Sequence, residues 1–176
     1  MSERAPAPTL RLAFEPLAPA HAAEAAPFLA EPAMWRYIPR PPPTADDVAR
    51  RFAVVSIVER PNGDRWLNWL VRRRADGQAV GLVETTVSPD RHAYLAYFVF
   101  VPFQRQGYAR EACAATLAYL REHCAVTAVD AEVDTRNDAS QRLMDALGFA
   151  RDDGRQPADP IDGAPAWDYR YRLVLA

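Results

Sequence analysis

A glycine-containing loop stands between an apolar segment and a predicted helix, an arrangement suited to binding phosphate. Residues 93–101 are apolar almost throughout, which predicts a strand covered on both faces. Gly107 and Ala109 carry no bulky side chain, so main-chain N–H groups there can surround a pyrophosphate at the positive end of the following helix. Arg105 and Arg110 can add positive charge outside this cradle. The loop by itself predicts anion binding, a property of many folds.

A second motif lies further along the chain, at residues 137–149. It reads Asn-Asp-Ala-Ser at its start and Leu-Gly-Phe at its end. The loop 104–109 resembles the Gln/Arg-x-x-Gly-x-Gly/Ala loop of the GNAT acetyltransferase superfamily, and 137–149 resembles that superfamily's second conserved stretch. The Leu-Arg-Leu segment 10–12, residues 34–38 before a run of prolines and a capped helix at Thr44 resemble the branch that contains the ribosomal-protein-alanine N-acetyltransferases. Two motifs in this order favour the family more than either motif alone.

The resemblance covers 9–149 and implies both a fold and an acyl donor. The fold is α+β in three layers, with a mixed, mostly antiparallel sheet of about seven strands, flanking helices, and a splay between the fourth and fifth strands. The donor is acetyl-CoA, whose pantetheine amides can pair with main-chain groups where the two strands part. Asn137 is implied to contact the pantetheine or hold the departing strand, and it can also cap its helix. The predicted cofactor-binding residues are Phe98, Val99, Phe100, Val101, Gln104, Arg105, Gln106, Gly107, Tyr108, Ala109, Arg110, Asn137 and Ser140.

Acetyl transfer to an amine needs a neutral amine, a polarised thioester carbonyl and a donor for the leaving thiolate. Many family members supply this donor as a tyrosine in the helix after the Asn motif, but this chain has Met144 and Asp145 there. Ser140 is the better candidate because the branch that the chain resembles carries a serine at this place. Alternatively, Ser140 is a helix residue that faces solvent and takes no part in the reaction. Glu84, on a strand that should border the acceptor cleft, is the candidate base, and an outward-facing surface glutamate is the alternative.

The acceptor side is predicted to include Trp35 and Tyr37 together with Glu84. The two aromatic residues precede the proline-rich segment 39–43, which must be stiff and extended and resembles the acceptor-side loop of the family. Arg36 and Arg40 favour a peptide, or an acceptor bearing a carboxylate, over a polycationic aminoglycoside. A protein amino terminus and a small amine both remain open as acceptors.

The resemblance implies an N-acetyltransferase in which the amine attacks the thioester directly in a ternary complex. Cys113 lies within a predicted helix in an apolar setting that disfavours a thiolate, so no covalent acetyl-enzyme is expected. The missing tyrosine leaves an alternative, a non-catalytic acyl-CoA-binding sensor or interaction module. A fold of this kind that binds no nucleotide is a third possibility.

Composition and charge limit the number of domains and the kinds of partner expected for this chain. The chain has 176 residues, 49% of them hydrophobic and 25% charged, which predicts one domain over 9–176 after a disordered leader at 1–8. The formal net charge of −2 argues against nucleic acid or an anionic membrane as partner. No ligand spacing predicts a metal site, and no apolar run predicts a signal peptide or membrane span. We expect a cytoplasmic protein that binds acetyl-CoA and an amine, with a homodimer left open.

Apolar periodicity and turn residues predict the element order βααβββαβαββ. The predicted helices are 21–30, 44–60, 105–122 and one that Asn137 begins and Gly148 ends. The predicted strands are 9–15, 66–71, 79–87, 93–101, 125–133, a short segment from Phe149 and, after a polar loop, 167–175.

Overall fold

The structure, a computed structural model, describes residues 5–175. Its strands and helices follow one another along the chain in the predicted order. Of the predicted leader, residues 1–4 lie outside the described range, and Pro6 is buried. The strands are β1 (Leu12–Pro16), β2 (Arg65–Arg73), β3 (Ala79–Val87), β4 (His92–Val99), β5 (Ala128–Asp134), β6 (Ala150–Ile161) and β7 (Ala164–Val174). The helices are α1 (Ala22–Leu29), α2 (Ala45–Val55), α3 (Tyr108–Cys124) and α4 (Asp138–Ala146).

The strands form one seven-stranded sheet in the order β1-β2-β3-β4-β5-β7-β6. All neighbours are antiparallel except β4 and β5, which are parallel. These two strands pair only from His92 with Ala128 to Tyr94 with Asp130, and then they separate. The predicted α+β fold and its splay between the fourth and fifth strands are therefore confirmed.

One face of the sheet carries α1 and α2. Cross-strand pairing places Asn68, Glu84 and Ala96 in one row. This row faces α2, because the Asn68 amide donates to the Val55 carbonyl at 2.8 Å and Glu84 forms an ion pair with Arg51. Helix α1 packs beside α2.

The opposite face carries α3 and α4. Side chains alternate between faces along a strand, so the adjacent row of Trp69, Val83 and Tyr97 points away from α2. The Trp69 ring packs against Tyr119 of α3 with a centroid distance of 5.4 Å. The Tyr97 hydroxyl contacts Ser140 of α4. The sheet thus lies between two helical layers, and within residues 5–175 no helix is long and apolar enough to cross a membrane.

Helix α2 begins where the sequence predicts and ends earlier. The Asp47 N–H donates to Thr44 Oγ1 at 3.2 Å, and the Thr44 N–H donates to Asp47 Oδ2 at 2.9 Å, which closes a reciprocal cap. The helix was expected to extend to about residue 60, but it ends at Val55. The next segment pairs instead with the start of β2, where the Trp66 N–H donates to the Val58 carbonyl at 2.8 Å.

The prediction of a polar loop before the last strand is wrong, because the 12-residue strand β6 occupies most of that segment. β6 is an edge strand that pairs only with β7, and an edge strand tolerates its prolines, Pro157 and Pro160. Two register shifts mark bulges that accommodate the extra residues. Most β6 side chains are exposed, so the segment lacks the alternation that identifies a strand from sequence.

Candidate active site

Gly107 begins α3 and ends the loop with a left-handed backbone. Its φ is +81°, and Arg105 also has a positive φ of +63°. No side chain caps this end of α3 in the described part of the chain. The first N–H groups of a helix have no intrahelical acceptor, so those of Tyr108 and Ala109 can bind an external anion. The loop therefore presents main-chain donors of the kind that hold a diphosphate.

Arg11, just before β1, holds the loop in place. Its Nη1 donates to the Gln106 carbonyl at 3.0 Å, and its Nε donates to Glu111 Oε2 at 2.7 Å. The guanidinium also lies over the Tyr108 ring, 4.7 Å from its centroid. Thr9 Oγ1 donates to the same glutamate at 2.5 Å. Sequence analysis assigned no role to Arg11, because its partners lie about a hundred positions away along the chain.

A cavity of about 640 Å³ extends from the loop along β4 toward β5 and α4, a volume typical of small-molecule sites. Three predicted cofactor-binding residues do not line it. Phe100 is buried and stacks on Phe28 at 4.7 Å, Val101 is in a short 3-10 turn, and the Gln106 side chain donates to the Pro102 carbonyl at 3.2 Å. The predicted residues that do line it are Phe98, Val99, Gln104, Arg105, Gly107, Tyr108, Ala109, Arg110, Asn137 and Ser140.

The main chain of β4 faces the gap that β5 leaves. The Phe100 N–H donates to the Val80 carbonyl on the β3 side at 2.9 Å. Because main-chain groups alternate in direction along a strand, those of Tyr97 and Val99 point toward the gap. The Val99 carbonyl accepts a hydrogen bond from Gln104 Nε2 at 2.9 Å. An extended chain with amide groups can therefore pair with β4 here.

The charge around the cavity is positive. Arg105, Arg110 and Arg142 line it, and none of the three has a carboxylate partner among residues 5–175. Asp134 and Glu132 also line the cavity, but both are paired: Arg170 forms an ion pair with Glu132, and Arg136 donates to the two carboxylate oxygens of Asp134 at 2.9 and 2.7 Å. These hydrogen bonds lower the pKa of Asp134, which stays ionised and paired. The unpaired arginines, of which Arg142 was not predicted, are complementary to a polyphosphate ligand.

Ser140 lies in the first turn of α4 and reaches β4 through a tyrosine. Asn137 begins the helix, and its Oδ1 accepts a hydrogen bond from the Ser140 N–H at 3.1 Å. Ser140 Oγ lies 2.5 Å from the hydroxyl of Tyr97, and both residues line the cavity. Burial raises the pKa of Tyr97, and the hydrogen bond with Ser140 only partly opposes this, so the phenol is neutral at physiological pH. Tyr97 was not predicted as a site residue, because it stands within the apolar segment 93–101.

Glu84 lies on the other face of the sheet, in a second depression of about 370 Å³. Its two carboxylate oxygens accept hydrogen bonds from Arg51 Nη1 and Nη2 at 2.7 and 2.6 Å. Burial lowers the pKa of Arg51, but the hydrogen bonds and charge of Glu84 outweigh this and raise it overall. Trp66 and Tyr94 also line this depression. Glu84 is thus held in place, and its role as a base stays a prediction.

The two depressions meet where the sheet splays. Four residues line both of them: Leu95, Ala96, Ala131 and Glu132. They directly follow Tyr94 and Asp130, the last paired residues of β4 and β5. The two depressions therefore share a boundary where the pairing of β4 with β5 ends.

The predicted aromatic walls, Trp35 and Tyr37, lie near the cavity in different ways. Tyr37 lines it directly. Trp35 stands behind the wall, where its Nε1 donates to the Leu29 carbonyl at 2.6 Å and its ring packs on Phe98 at 5.9 Å. The Arg36 guanidinium lies over the Tyr37 ring at 5.3 Å. Whether Trp35 and Tyr37 contact an acceptor stays a prediction.

Covalent and metal chemistry find no support in the described residues. Cys113 is fully buried, and burial raises the pKa of its thiol to about 12, so the thiol is protonated at neutral pH. Among residues 5–175 no cluster of three or more His, Cys, Asp or Glu side chains could hold a metal ion.

The fold is similar to that of several solved acetyltransferases. RimL, a ribosomal L7/L12 alpha-N-protein acetyltransferase in complex with coenzyme A, is 13% identical, with a TM-score of 0.83 over 95% of this chain and 96% of that chain. Spermidine N-acetyltransferase from Vibrio cholerae, in complex with CoA and spermine, is 17% identical, with a TM-score of 0.80 over 94% and 96%. The ribosomal-protein-S5-alanine acetyltransferase from Vibrio fischeri is 16% identical, with a TM-score of 0.80 over 97% and 96%. At these identities the likeness concerns the fold.

The family follows from the sequence itself. The model of the acetyltransferase (GNAT) domain matches residues 11–150, which include both motifs. No curated protein matches the chain significantly. The cavity, the main-chain donors at Gly107 and the unpaired arginines fit the diphosphate and pantetheine of a coenzyme A thioester. The chain belongs to the GNAT family of acetyltransferases, enzymes that use acetyl-CoA as the acyl donor.

Proposed function

We propose that this enzyme transfers acetyl directly from acetyl-CoA to a primary amine and that the two substrates approach from opposite faces of the sheet. The observation that carries the proposal is the boundary at the splay, where the two depressions share four lining residues. Acetyl-CoA occupies the larger cavity, with its diphosphate at Gly107. The amine enters the smaller depression beside Glu84 and meets the thioester at Leu95 and Ala131.

The reaction proceeds by nucleophilic attack in a ternary complex. The lone pair of the amine nitrogen attacks the thioester carbonyl carbon, the C–S bond breaks, and its electron pair leaves on sulfur. The proton of the attacking nitrogen passes to Glu84, directly or through water. Ser140 donates a hydrogen bond to the sulfur as negative charge develops there. Because Cys113 is buried and protonated, no acetyl-enzyme precedes transfer.

The ion pair with Arg51 limits how Glu84 can bind an ammonium. Both carboxylate oxygens accept hydrogen bonds from the guanidinium, so the incoming ammonium must compete for one of them. The same pairing holds the carboxylate in the lining of the depression, where it can attract the ammonium before it accepts a proton. Glu84 therefore serves both to bind the acceptor and to accept its proton.

The acceptor depression suits a cationic amine. Glu84, Asp130 and Glu132 line it, and an incoming ammonium can compete with their arginine partners, Arg51, Arg172 and Arg170, for the carboxylate oxygens. The ring of Tyr94 can also face an ammonium. Near the larger cavity, Arg36 and Arg40 favour an acceptor with a peptide or carboxylate group. A protein amino terminus and a small amine both satisfy these features, and among the similar structures RimL acts on a ribosomal protein and another enzyme on spermidine.

The test is initial-rate kinetics with acetyl-CoA and a panel of amines. The panel holds a peptide with a free amino terminus, the same peptide with a blocked terminus, spermidine, an aminoglycoside and a free amino acid. Thiol release and product mass identify the acceptor, and we expect lines that intersect when both substrates are varied. Parallel lines, or protein that gains an acetyl group when no amine is present, would contradict direct transfer. Tight acetyl-CoA binding without turnover of any amine would favour a non-catalytic binding module.

A further inference from the structure

Tyr97 and Ser140 approach each other across the gap in the sheet. Main-chain pairing of β4 with β5 ends at Tyr94, so further along β4 the strand has no strand neighbour on that side. Tyr97 extends from β4 toward the α3 and α4 layer, and its hydroxyl lies 2.5 Å from Ser140 Oγ on α4. This hydrogen bond joins the strand to the helix at the wall of the cofactor cavity.

The direction of the hydrogen bond is assigned from acidity, because a phenol is a stronger acid than an alkyl hydroxyl. The half-buried Tyr97 hydroxyl is therefore the donor, and Ser140 Oγ is its acceptor. If Tyr97 donates, the Ser140 hydroxyl has its own proton free to donate elsewhere. The Asn137 Oδ1 bond to the Ser140 N–H fixes the backbone from which this hydroxyl extends.

We propose that Tyr97 is a positioning residue that aims the Ser140 hydroxyl at the departing sulfur of coenzyme A. This inference rests on the role proposed above for Ser140. Tyr97 itself does not contact the reacting atoms. Its hydroxyl donates to Ser140 Oγ from one side, so that the serine proton points to the other side, into the cavity.

Acidity shows why neither hydroxyl needs to ionise. A thiol such as that of coenzyme A has a pKa near the cysteine value of about 8.5, well below that of tyrosine at about 10. The thiolate is therefore too weak a base to remove a proton from Tyr97 or Ser140. The C–S electron pair stays on sulfur, both hydroxyl protons stay on oxygen, and the thiolate is stabilised by a charge-assisted hydrogen bond. Solvent supplies the proton of the released thiol.

The test is a double-mutant cycle with S140A, Y97F and the combined variant. We expect S140A to lower kcat by about tenfold to a hundredfold, the loss of one hydrogen bond to a charged group. Y97F should lower kcat by about three- to tenfold and leave the Kd for coenzyme A and the apparent pKa values of the pH profile unchanged. In the S140A background, Y97F should cost no further activity. A further loss there, or a shifted alkaline limb with Y97F, would overturn the positioning role.

Two further variants keep the inference independent of folding effects. S140T retains the hydroxyl and should keep kcat within about threefold of the parent enzyme, and a loss as large as that of S140A would contradict the inference. Y171F removes the hydroxyl of a buried tyrosine on β7, away from the cavity lining, and should leave kcat unchanged. If the parent enzyme acetylates no amine, the proposed function fails. If it is active and S140A matches it, only the roles of Ser140 and Tyr97 fail.

Discussion

Replacing Gly107 by alanine separates the cost of a strained backbone from the loss of the diphosphate cradle. The glycine has φ +81°, where an alanine costs roughly 1–2 kcal/mol relative to glycine. An added Cβ would lie 3.4 Å from Arg11 Nη2, the end of a flexible side chain that can move. Strain, not steric overlap, therefore sets the stability loss. For a chain of this size we expect Tm to fall by about 2–8 °C.

Ligand affinity should change by a separate mechanism. If the alanine relieves its strain by leaving the left-handed region, the N–H groups of Tyr108 and Ala109 turn away from the diphosphate. Each hydrogen bond to a charged group contributes about 1.5–3 kcal/mol, so the loss of one weakens coenzyme A binding by roughly tenfold to a hundredfold. Calorimetric titration of coenzyme A into the folded protein measures this change.

Gly77 offers a matched control. It has φ +73° in the turn between β2 and β3, and a Cβ there would meet nothing within 4 Å. G77A should therefore lose about the same stability as G107A and retain the parent Kd for coenzyme A. If G107A loses less Tm than G77A, the alanine has relieved its strain and moved the loop. Equal Kd values for G107A and G77A in that case would refute the assignment of the diphosphate to this loop.

Three further outcomes follow from the structure. G81A should unfold or lose several kcal/mol of stability by denaturant titration, because its Cβ would lie 2.1 Å from the Phe98 carbonyl oxygen, whereas G154A, with nothing within 4 Å, should match the parent. Cys113 should resist alkylation in the native protein at pH 7–8 and react only well above that range or after unfolding, because burial raises its pKa to about 12. Rapid labelling of Cys113 at pH 7–8, measured by peptide mass spectrometry, would contradict this. R142Q should raise the Kd for coenzyme A by about three- to tenfold at low salt and by less at high salt, and a salt-independent change would exclude a charge effect.

Local patterns in the sequence predicted the loop and the helix starts that border the larger cavity. Gly107 after an apolar strand predicted the cradle, and the start of α3 at Tyr108 follows from the left-handed glycine before it. Asn137 was predicted as a cap, and it does accept the Ser140 N–H. These features could be predicted because each depends on residues that are close together in the chain.

The contacts that complete the site join distant segments. Tyr97 and Ser140 are 43 positions apart, and Arg51 and Glu84 are 33 apart. A strand covered on both faces carries large side chains on each side, so the sequence does not distinguish Tyr97 from core residues. The register of β3 against β4 and the placement of α2 create these pairs, and neither is encoded in a short segment.

Strand β6 could not be predicted from the sequence for a different reason. Its residues are mostly exposed and include Asp, Gly and Pro, which predict a loop. Pairing with β7 alone stabilises the strand at the edge of the sheet, with bulges that absorb the irregular residues. Local composition therefore pointed away from the observed structure, and long-range hydrogen bonding with β7 decided it.

A crystal structure of the enzyme with coenzyme A tests the central claim most directly. We expect the diphosphate on the N–H groups after Gly107 and the pantetheine beside Tyr97 and Val99. The sulfur should lie within hydrogen-bonding distance of Ser140 Oγ, near the boundary with the depression that holds Glu84. A sulfur on the far side of α4, or a loop that makes no contact with the diphosphate, would contradict it.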